Sequence, residues 1–152
     1  MKLQDLAPKL TTLLRYENPP AFLIIHCGTN NVGQTTRDRL LQILISTLLQ
    51  IRAMFPTTSI VWSSSLPRFS WRFSNNTRAM NRIRGRMDRE AIRFLSVRGG
   101  RHIKHPQFSA KPPSLFDSDG VHLSQLGNDL LLNNFQGALL NFTCCDAIGF
   151  PV

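Results

Sequence analysis

Cysteines, long apolar runs and acidic side chains are all scarce in this sequence. Its 152 residues include three cysteines, two of them adjacent, which excludes a disulfide framework and offers no metal-ligand spacing. The longest apolar runs, such as 21–25, are far too short to span a bilayer. Polar and charged residues follow Met1 at once, so no signal-peptide pattern is visible. We therefore expect no transmembrane segment and, by default, a reducing cytoplasmic compartment.

The shortage of acidic residues makes this a basic protein. Nine Asp and Glu stand against 18 Lys and Arg, which gives a net charge of +9. A balance of this size permits binding to nucleic acid or another anionic surface, although charge governs solubility and steering more directly than function. Hydrophobic residues make up 42% of the chain, a fraction typical of one globular domain with a single core.

Alternating apolar runs and helical patterns predict an α/β fold. Three short runs are typical of buried parallel strands, at 21–26, 58–64 and 101–104. Helical spacing of apolar residues predicts helices over 3–16, 37–54, 76–97 and 125–141, with Thr35 or Thr36 and later Ser124 as N-caps and Pro8 disturbing the first helix. This order predicts a three-layer sandwich with a short parallel sheet. We expect one domain over 1–142 and an irregular tail over 143–152.

Two loops carry side chains suited to hydrolytic chemistry. His26–Asn31 follows the first strand and Asp117–Ser124 precedes the last helix, and parallel sheets place such loops at one edge. Asp119 and His122 are three residues apart, so the carboxylate could orient the imidazole as a general base. Asn30 could donate its amide N–H groups to an oxyanion.

These residues resemble two sequence blocks of the SGNH hydrolases, the GDSL-like esterases and lipases. Gly28-Thr-Asn30-Asn31 is similar to that family's Gly-x-Asn-Asp block, and Asp119-Gly-Val-His122 is similar to its Asp-x-x-His block. The resemblance covers about residues 3–142 and implies an incomplete flavodoxin-like SGNH hydrolase fold. It implies that His122 is the catalytic base, oriented by Asp119. It also implies that Asn30 and Gly28 form the oxyanion hole, with Gly28 as the turn residue.

The family's nucleophile block is missing. No Gly-Asp-Ser follows an N-terminal strand, and residues 1–45 contain no serine. Ser63, Ser64 and Ser65 end the second strand on the correct edge, but serines there more often serve strand ends and turns. We therefore expect an SGNH-type ester hydrolase domain that is truncated or degenerate and inactive alone, with its nucleophile unknown. The chemistry would need no metal or organic cofactor, and the substrate would be a small ester.

The absent first strand has a structural consequence in the resemblance. It would lie beside strand 21–26, which would otherwise become an apolar sheet edge open to pairing with another chain. We therefore expect self-association or marginal stability. Asn31 stands where the family usually has Asp, which changes an acceptor-only side chain to an amide.

A basic helix supports a different function. Residues 68–104 hold 11 of the 18 basic residues. Five arginines follow helical spacing opposite an apolar stripe: Arg78, Arg82, Arg86, Arg89 and Arg93. The plain interpretation is a solvated helix face. The alternative function is a non-catalytic module that binds nucleic acid or another polyanion through this face. We assign no role to His26, His102 or His105.

Overall fold

The computed structural model describes residues 1–151, which form four parallel strands and four main helices. The strands are β1 (Phe22–Ile25), β2 (Ser59–Ser63), β3 (Arg101–Ile103) and β4 (Gly149–Phe150), in the sheet order β1-β2-β3-β4. The helices are α1 (Leu6–Leu13), α2 (Arg37–Met54), α3 (Thr77–Ser96) and α4 (Gln125–Cys145). Short 3-10 helices lie at Leu3–Asp5, Thr29–Asn31, Pro106–Phe108 and Pro113–Leu115.

Side-chain alternation along β2 builds the three layers. Ile60 and Trp62 lie in the larger core cluster with residues of α1, α2 and α3. Val61, between them, lies in a second cluster with Ala138 and Phe142 of α4. Because successive side chains of a strand point to opposite faces, a strand buried on both faces needs apolar residues at every position. The predicted α/β sandwich with a short parallel sheet is confirmed.

The strand β1 forms one edge of this sheet. It pairs in parallel with β2, with Phe22 opposite Ser59 and Ile25 opposite Trp62, and within residues 1–151 no strand pairs with its other side. Both faces of β1 are nevertheless covered: Leu23 and Ile25 pack in the larger core cluster, while Phe22 and Ile24 pack in the cluster with α4. Only its outer row of backbone donors and acceptors is open.

The ends of the first and last helices differ from the predicted bounds. A 3-10 turn precedes α1, which begins at Leu6 and so leaves Pro8 in its first turn, where a helix needs no N–H donor. The last helix continues to Cys145, and β4 then pairs with β3 where we expected an irregular tail over 143–152. Arg101 holds the intervening turn by donating to the Asp146 carboxylate at 2.5 Å and to the Ala147 carbonyl. A two-residue strand has no periodicity to detect.

A buried carboxylate fixes the connection that leaves β2. Asp88 on α3 accepts hydrogen bonds from the Trp62 indole at 2.9 Å, from the Ser65 backbone at 3.1 Å and from the Ser65 hydroxyl at 2.8 Å. Arg84, one turn earlier, lies 3.4 Å from the same carboxylate. Burial raises the pKa of Asp88, and these hydrogen bonds and Arg84 oppose that rise. The sequence predicted the helix but not that one of its few acids faces inward.

A chain of polar side chains at the carboxyl ends of the strands links β1 and β2 to α4. His26 Nδ1 lies 2.7 Å from Ser63 Oγ, which lies 2.8 Å from His105 Nε2. His105 Nδ1 in turn lies 3.0 Å from the Asn134 amide nitrogen. With Asn134 donating, His105 donates to Ser63 and Ser63 donates to His26, so both imidazoles are neutral.

Burial sets the protonation of these two histidines. It lowers the pKa of His26 to about 4, with a hydrogen bond to the Ser63 backbone opposing it, and it lowers the pKa of His105 to about 3, helped by the proximity of His26. His26 and Ser63 are therefore structural in this fold. An extra proton on either ring would place two donors face to face in the core.

We predict that acid destabilises the chain well above the pH at which its carboxylates titrate. Below about pH 6.5 the two histidines bind protons in the unfolded chain but remain neutral in the folded one. The free energy of unfolding is therefore highest above pH 6.5 and falls as the pH drops toward about 4. Each histidine should remove up to about 1.4 kcal/mol of unfolding free energy per pH unit. Urea unfolding between pH 7.5 and 4.5 measures this slope.

A histidine variant tests the cause of this slope. His105→Gln should make the slope shallower, because it removes one of the two buried imidazoles that only the unfolded chain protonates in this pH range. A wild-type unfolding free energy that is constant from pH 7 to 4.5 would contradict the assignment of neutral buried imidazoles.

Candidate functional site

Three loops meet at the carboxyl edge of the sheet. A cavity of about 200 Å³ is lined by His26 and Thr29 from the loop after β1, by Ser65 and Arg68 from the loop after β2, and by His122 from the loop before α4. A second cavity, of about 640 Å³, shares Thr29, Arg68 and His122 with the first and extends to the N-terminal residues. The expected proximity of the first and last of these loops is therefore observed.

The loop before α4 presents a carboxylate and an imidazole as one unit. Asp119 Oδ2 lies 2.5 Å from His122 Nδ1, while Oδ1 accepts the backbone N–H groups of Val121 at 2.8 Å and His122 at 2.9 Å. These bonds, led by the one to the His122 side chain, lower the pKa of Asp119 to about 2. Because the carboxylate accepts a hydrogen bond from Nδ1, that nitrogen carries the proton and Nε2 keeps its lone pair.

The backbone at Gly120 and Ser124 holds this unit in place. Gly120 has a φ of +66°, and its carbonyl accepts the Phe69 N–H at 2.9 Å. A Cβ at this position would lie 2.7 Å from the Phe69 Cβ, so glycine is needed both for the turn and for the contact. Ser124 caps α4 by accepting the Gly127 N–H at 3.1 Å, as its position in the sequence predicted.

Asn30 lines the same cavity as the His122 imidazole, whereas Gly28 and Asn31 face inward. Asn30 lines the larger cavity with His122, and its Nδ2 has one distant contact, 3.5 Å from the Met1 carbonyl. Gly28 has a φ of +104°, and a Cβ there would lie 3.0 Å from Met87, so it serves as a turn residue and lines neither cavity. Asn31 is buried and accepts the Leu3 N–H at 2.9 Å.

The amide at position 31 has a partner suited to it. Asn31 Nδ2 donates to Gln4 Oε1 at 2.8 Å, so the amide both accepts and donates where an aspartate could only accept. Together with the bond to Leu3, this contact ties the start of the chain under the loop that carries Asn30.

Arg68 connects the loop after β2 to the loop after β1, and it was not predicted from the sequence. Its Nη2 donates to Thr29 Oγ1 at 2.6 Å and to Asn30 Oδ1 at 3.1 Å. Accepting at Oδ1 leaves the Asn30 amide nitrogen as the free end of that side chain. Burial lowers the pKa of Arg68 and the nearby Asp119 carboxylate opposes this, but an arginine stays protonated at neutral pH in either case. Only the fold reveals its role, because it lies in a loop without periodicity.

The nucleophile candidates at this edge differ in availability. Ser63 is fully buried between two histidines, and the Ser65 hydroxyl donates to Asp88. Cys27 lines the smaller cavity, but burial raises the pKa of its thiol to about 11, so the reactive thiolate is not formed at neutral pH. Ser70 is exposed and lines the larger cavity with His122. Within residues 1–151 the His122 side chain has no hydrogen-bond partner other than Asp119.

The predicted arginine face lies on the outer side of α3. All five of its arginines are exposed, but they differ in pairing. Glu90 forms ion pairs with Arg86 at 3.1 Å and Arg93 at 2.6 Å. Arg82 and Arg89 line two concave surfaces, of about 520 and 790 Å³, on either flank of the helix, and Arg86 lines the first of them as well.

Residues 1–151 contain neither a membrane-spanning helix nor a metal-binding cluster. Across residues 1–151, no helix is both long and apolar enough to cross a membrane. In the same part of the chain, no three His, Cys, Asp or Glu side chains form a group that could hold a metal ion.

Comparison with known proteins identifies the fold. No protein-family model matches the sequence, and no curated protein matches it. Among solved structures, a candidate acylhydrolase from Bacteroides fragilis superposes with a TM-score of 0.68 at 16% identity, over 93% of this chain and 71% of the other. A GDSL-like lipase from Bacteroides thetaiotaomicron gives 0.65 at 20% identity, over 91% and 69%.

A third structure extends this agreement. An α/β hydrolase enzyme from the metagenome of Lake Arreo superposes with a TM-score of 0.66 at 18% identity, over 91% of this chain and 67% of the other. Identities this low establish architecture alone. The chain has the fold of the SGNH, or GDSL-like, hydrolases.

Proposed function

We propose that this chain is an ester hydrolase domain of the SGNH type that holds the base half of the active site and is inactive alone. The observation that carries the proposal is the His122 imidazole, held by Asp119 at Nδ1 and sharing a cavity with Asn30 at the carboxyl edge of the sheet. The fold supports this reaction class, and the absence of a hydroxyl hydrogen-bonded to His122 in residues 1–151 supports the inactivity.

The chemistry would follow serine acyl transfer. A serine hydroxyl attacks the ester carbonyl while His122 Nε2 takes its proton, and Asn30 Nδ2 donates to the resulting oxyanion. The imidazolium, stabilised by Asp119, then protonates the leaving alcohol, and water releases the acid from the acyl-enzyme by the same route. Gly28 contributes by holding the turn before Asn30.

The solvent exposure of His122 and Asp119 supports the proposed inactivity of this chain. The His122 side chain is 78% exposed and that of Asp119 is 47% exposed, so water surrounds the pair. Electrostatic stabilisation is strong only where water is excluded. The free side of β1 is where a strand bearing the nucleophile would pair and close the site.

Fluorophosphonate labelling with mass-spectrometric mapping tests the inactivity. We predict that the folded chain acquires no serine adduct, because no hydroxyl lies within hydrogen-bond reach of His122. A longer polypeptide in which a strand ending in Gly-Asp-Ser precedes Met1 should be labelled at that serine. His122→Ala should abolish this labelling, and His102→Gln, a matched control distant from the cavity, should retain it.

Two outcomes would contradict the proposal in different ways. An adduct on Ser70 of the unextended chain that is lost with His122→Ala would show an active enzyme with a recruited nucleophile, and would overturn the inactivity alone. A folded, extended polypeptide that is never labelled would overturn the hydrolase assignment.

The open edge of β1 leads to a second prediction. An unpaired, apolar parallel strand offers backbone hydrogen bonds to another chain, so we expect association that increases with concentration. Sedimentation velocity measures the association, and slower amide exchange at residues 22–25 in concentrated samples locates it. A monodisperse monomer with a cooperative melt at all concentrations would contradict this expectation.

Polyanion binding is the second candidate function, and the concave surfaces beside α3 favour it. Arg82 and Arg89 line both surfaces and have no ion pair in the described chain, whereas Glu90 neutralises Arg86 and Arg93. Phosphates held by the unpaired arginines would release counterions, so binding would weaken as salt increases.

Two double variants with the same charge change separate this function from general basicity. Arg82→Gln with Arg89→Gln should weaken binding of a single-stranded oligonucleotide. It should also reduce the slope of the salt dependence by the equivalent of about two phosphate contacts. Arg86→Gln with Arg93→Gln should have a smaller effect. Equal losses in fluorescence anisotropy titrations would indicate that only net charge matters and would exclude a defined surface.

A further inference from the structure

The larger cavity beside His122 is positively charged. Lys2, Arg68 and Arg72 line it, and Asp5 is the one acidic residue among its lining residues. The Asp5 carboxylate already accepts the Lys2 backbone N–H at 2.9 Å. Three cations against the carboxylates of Asp5 and, near Arg68, of Asp119 leave a net positive charge, which favours a negatively charged occupant.

Arg68 has hydrogen-bonding capacity left over. A guanidinium carries five N–H donors, and the described contacts of Arg68 use only Nη2, toward Thr29 and Asn30. Those two bonds fix the orientation of the guanidinium group, which lines both cavities. Nη1 and Nε have no protein acceptor in residues 1–151, so each can donate a charge-assisted hydrogen bond to an oxygen of a carboxylate or phosphate.

Trp71 supplies an independent observation. Its side chain lines the same cavity and is 93% buried, since 7% of the residue is exposed. Its indole Nε1–H is buried without any hydrogen-bond acceptor in the described chain. An unpaired buried donor is costly, and its presence beside a cavity indicates an acceptor that the protein itself does not provide. The Arg68 guanidinium lies 5.5 Å from the centre of this ring.

We propose that this cavity binds an anionic group of the substrate, a carboxylate or phosphate, through the free donors of Arg68 and the indole N–H of Trp71. Lys2 and Arg72 add attraction without fixed geometry. The inference rests on the proposed function in that the anion would belong to the ester on which His122 acts. The substrate class is therefore an ester with a negatively charged group on one side of its scissile bond, and that group lies in this cavity.

Binding of matched probes tests the inference without requiring turnover. The probes are 4-phenylbutyrate, phenyl phosphate and the neutral 4-phenylbutan-1-ol, added to the full chain labelled with 15N. We expect the two anions to shift the Trp71 indole resonance and to saturate, and the alcohol to bind at least about tenfold more weakly, a difference of about 1.4 kcal/mol. A stronger response to the phosphate or to the carboxylate identifies which anion the cavity prefers.

Three variants localise the effect. Arg68→Gln should weaken anion binding about tenfold or more and leave binding of the alcohol unchanged. Trp71→Phe keeps an aromatic ring and removes the donor, so it should weaken anion binding in a protein that still folds. Arg98→Gln is the matched control, because it removes the same charge at the far end of α3, where Arg98 stacks on Phe94.

The inference is overturned if the alcohol binds as tightly as the anions, if Arg98→Gln weakens binding as much as Arg68→Gln, or if anions shift only resonances of the arginine face on α3. These results are independent of the labelling experiment. Anion binding at Trp71 in a polypeptide that is never labelled would remove the hydrolase assignment and leave the anion site.

Discussion

The buried carboxylate of Asp88 is the interaction on which the site depends. It holds the start of the β2–α3 connection through Trp62 and both polar groups of Ser65. That connection carries Arg68 to the loop after β1 and Phe69 to the loop before α4. A lone buried carboxylate would be strongly destabilising, and its several donors make it a clamp. The three loops therefore meet because Asp88, one of the two acids on a basic helix, faces inward.

Two histidine environments lie within one small region, and burial separates their roles. His26 and His105 are enclosed, neutral and bonded to Ser63, which makes them parts of the core. His122 stands in water with Asp119 at one nitrogen and the other nitrogen free. A base needs an accessible lone pair, whereas a buried imidazole needs hydrogen-bond partners, as His105 has at both nitrogens. The same residue type thus serves stability in the core and, under the proposed function, chemistry at His122.

Within residues 1–151 β1 has no strand on its outer side, and the His122 side chain has no hydrogen-bond partner other than Asp119. Under the proposed function, one further strand would complete both the sheet and the site. Local structure is nevertheless complete: the loops are capped, the glycine turns are formed and Asn31 is satisfied. The loops around Asp119 and His122 keep their geometry because their supports come from β2, α3 and the N-terminal turn.

Periodicity and local motifs in the sequence determined the α/β order, the bounds of α2, the Ser124 cap and the pairing of Asp119 with His122, because each depends on residues a few positions apart. Contacts distant in sequence could not be predicted. These include the inward turn of Asp88, the strand at Gly149–Phe150, the chain from His26 to Asn134, and Arg68 beside Asn30. A pattern along the chain reports which face of an element is apolar, whereas only the packed tertiary structure decides which polar groups are enclosed and which remain free to bind.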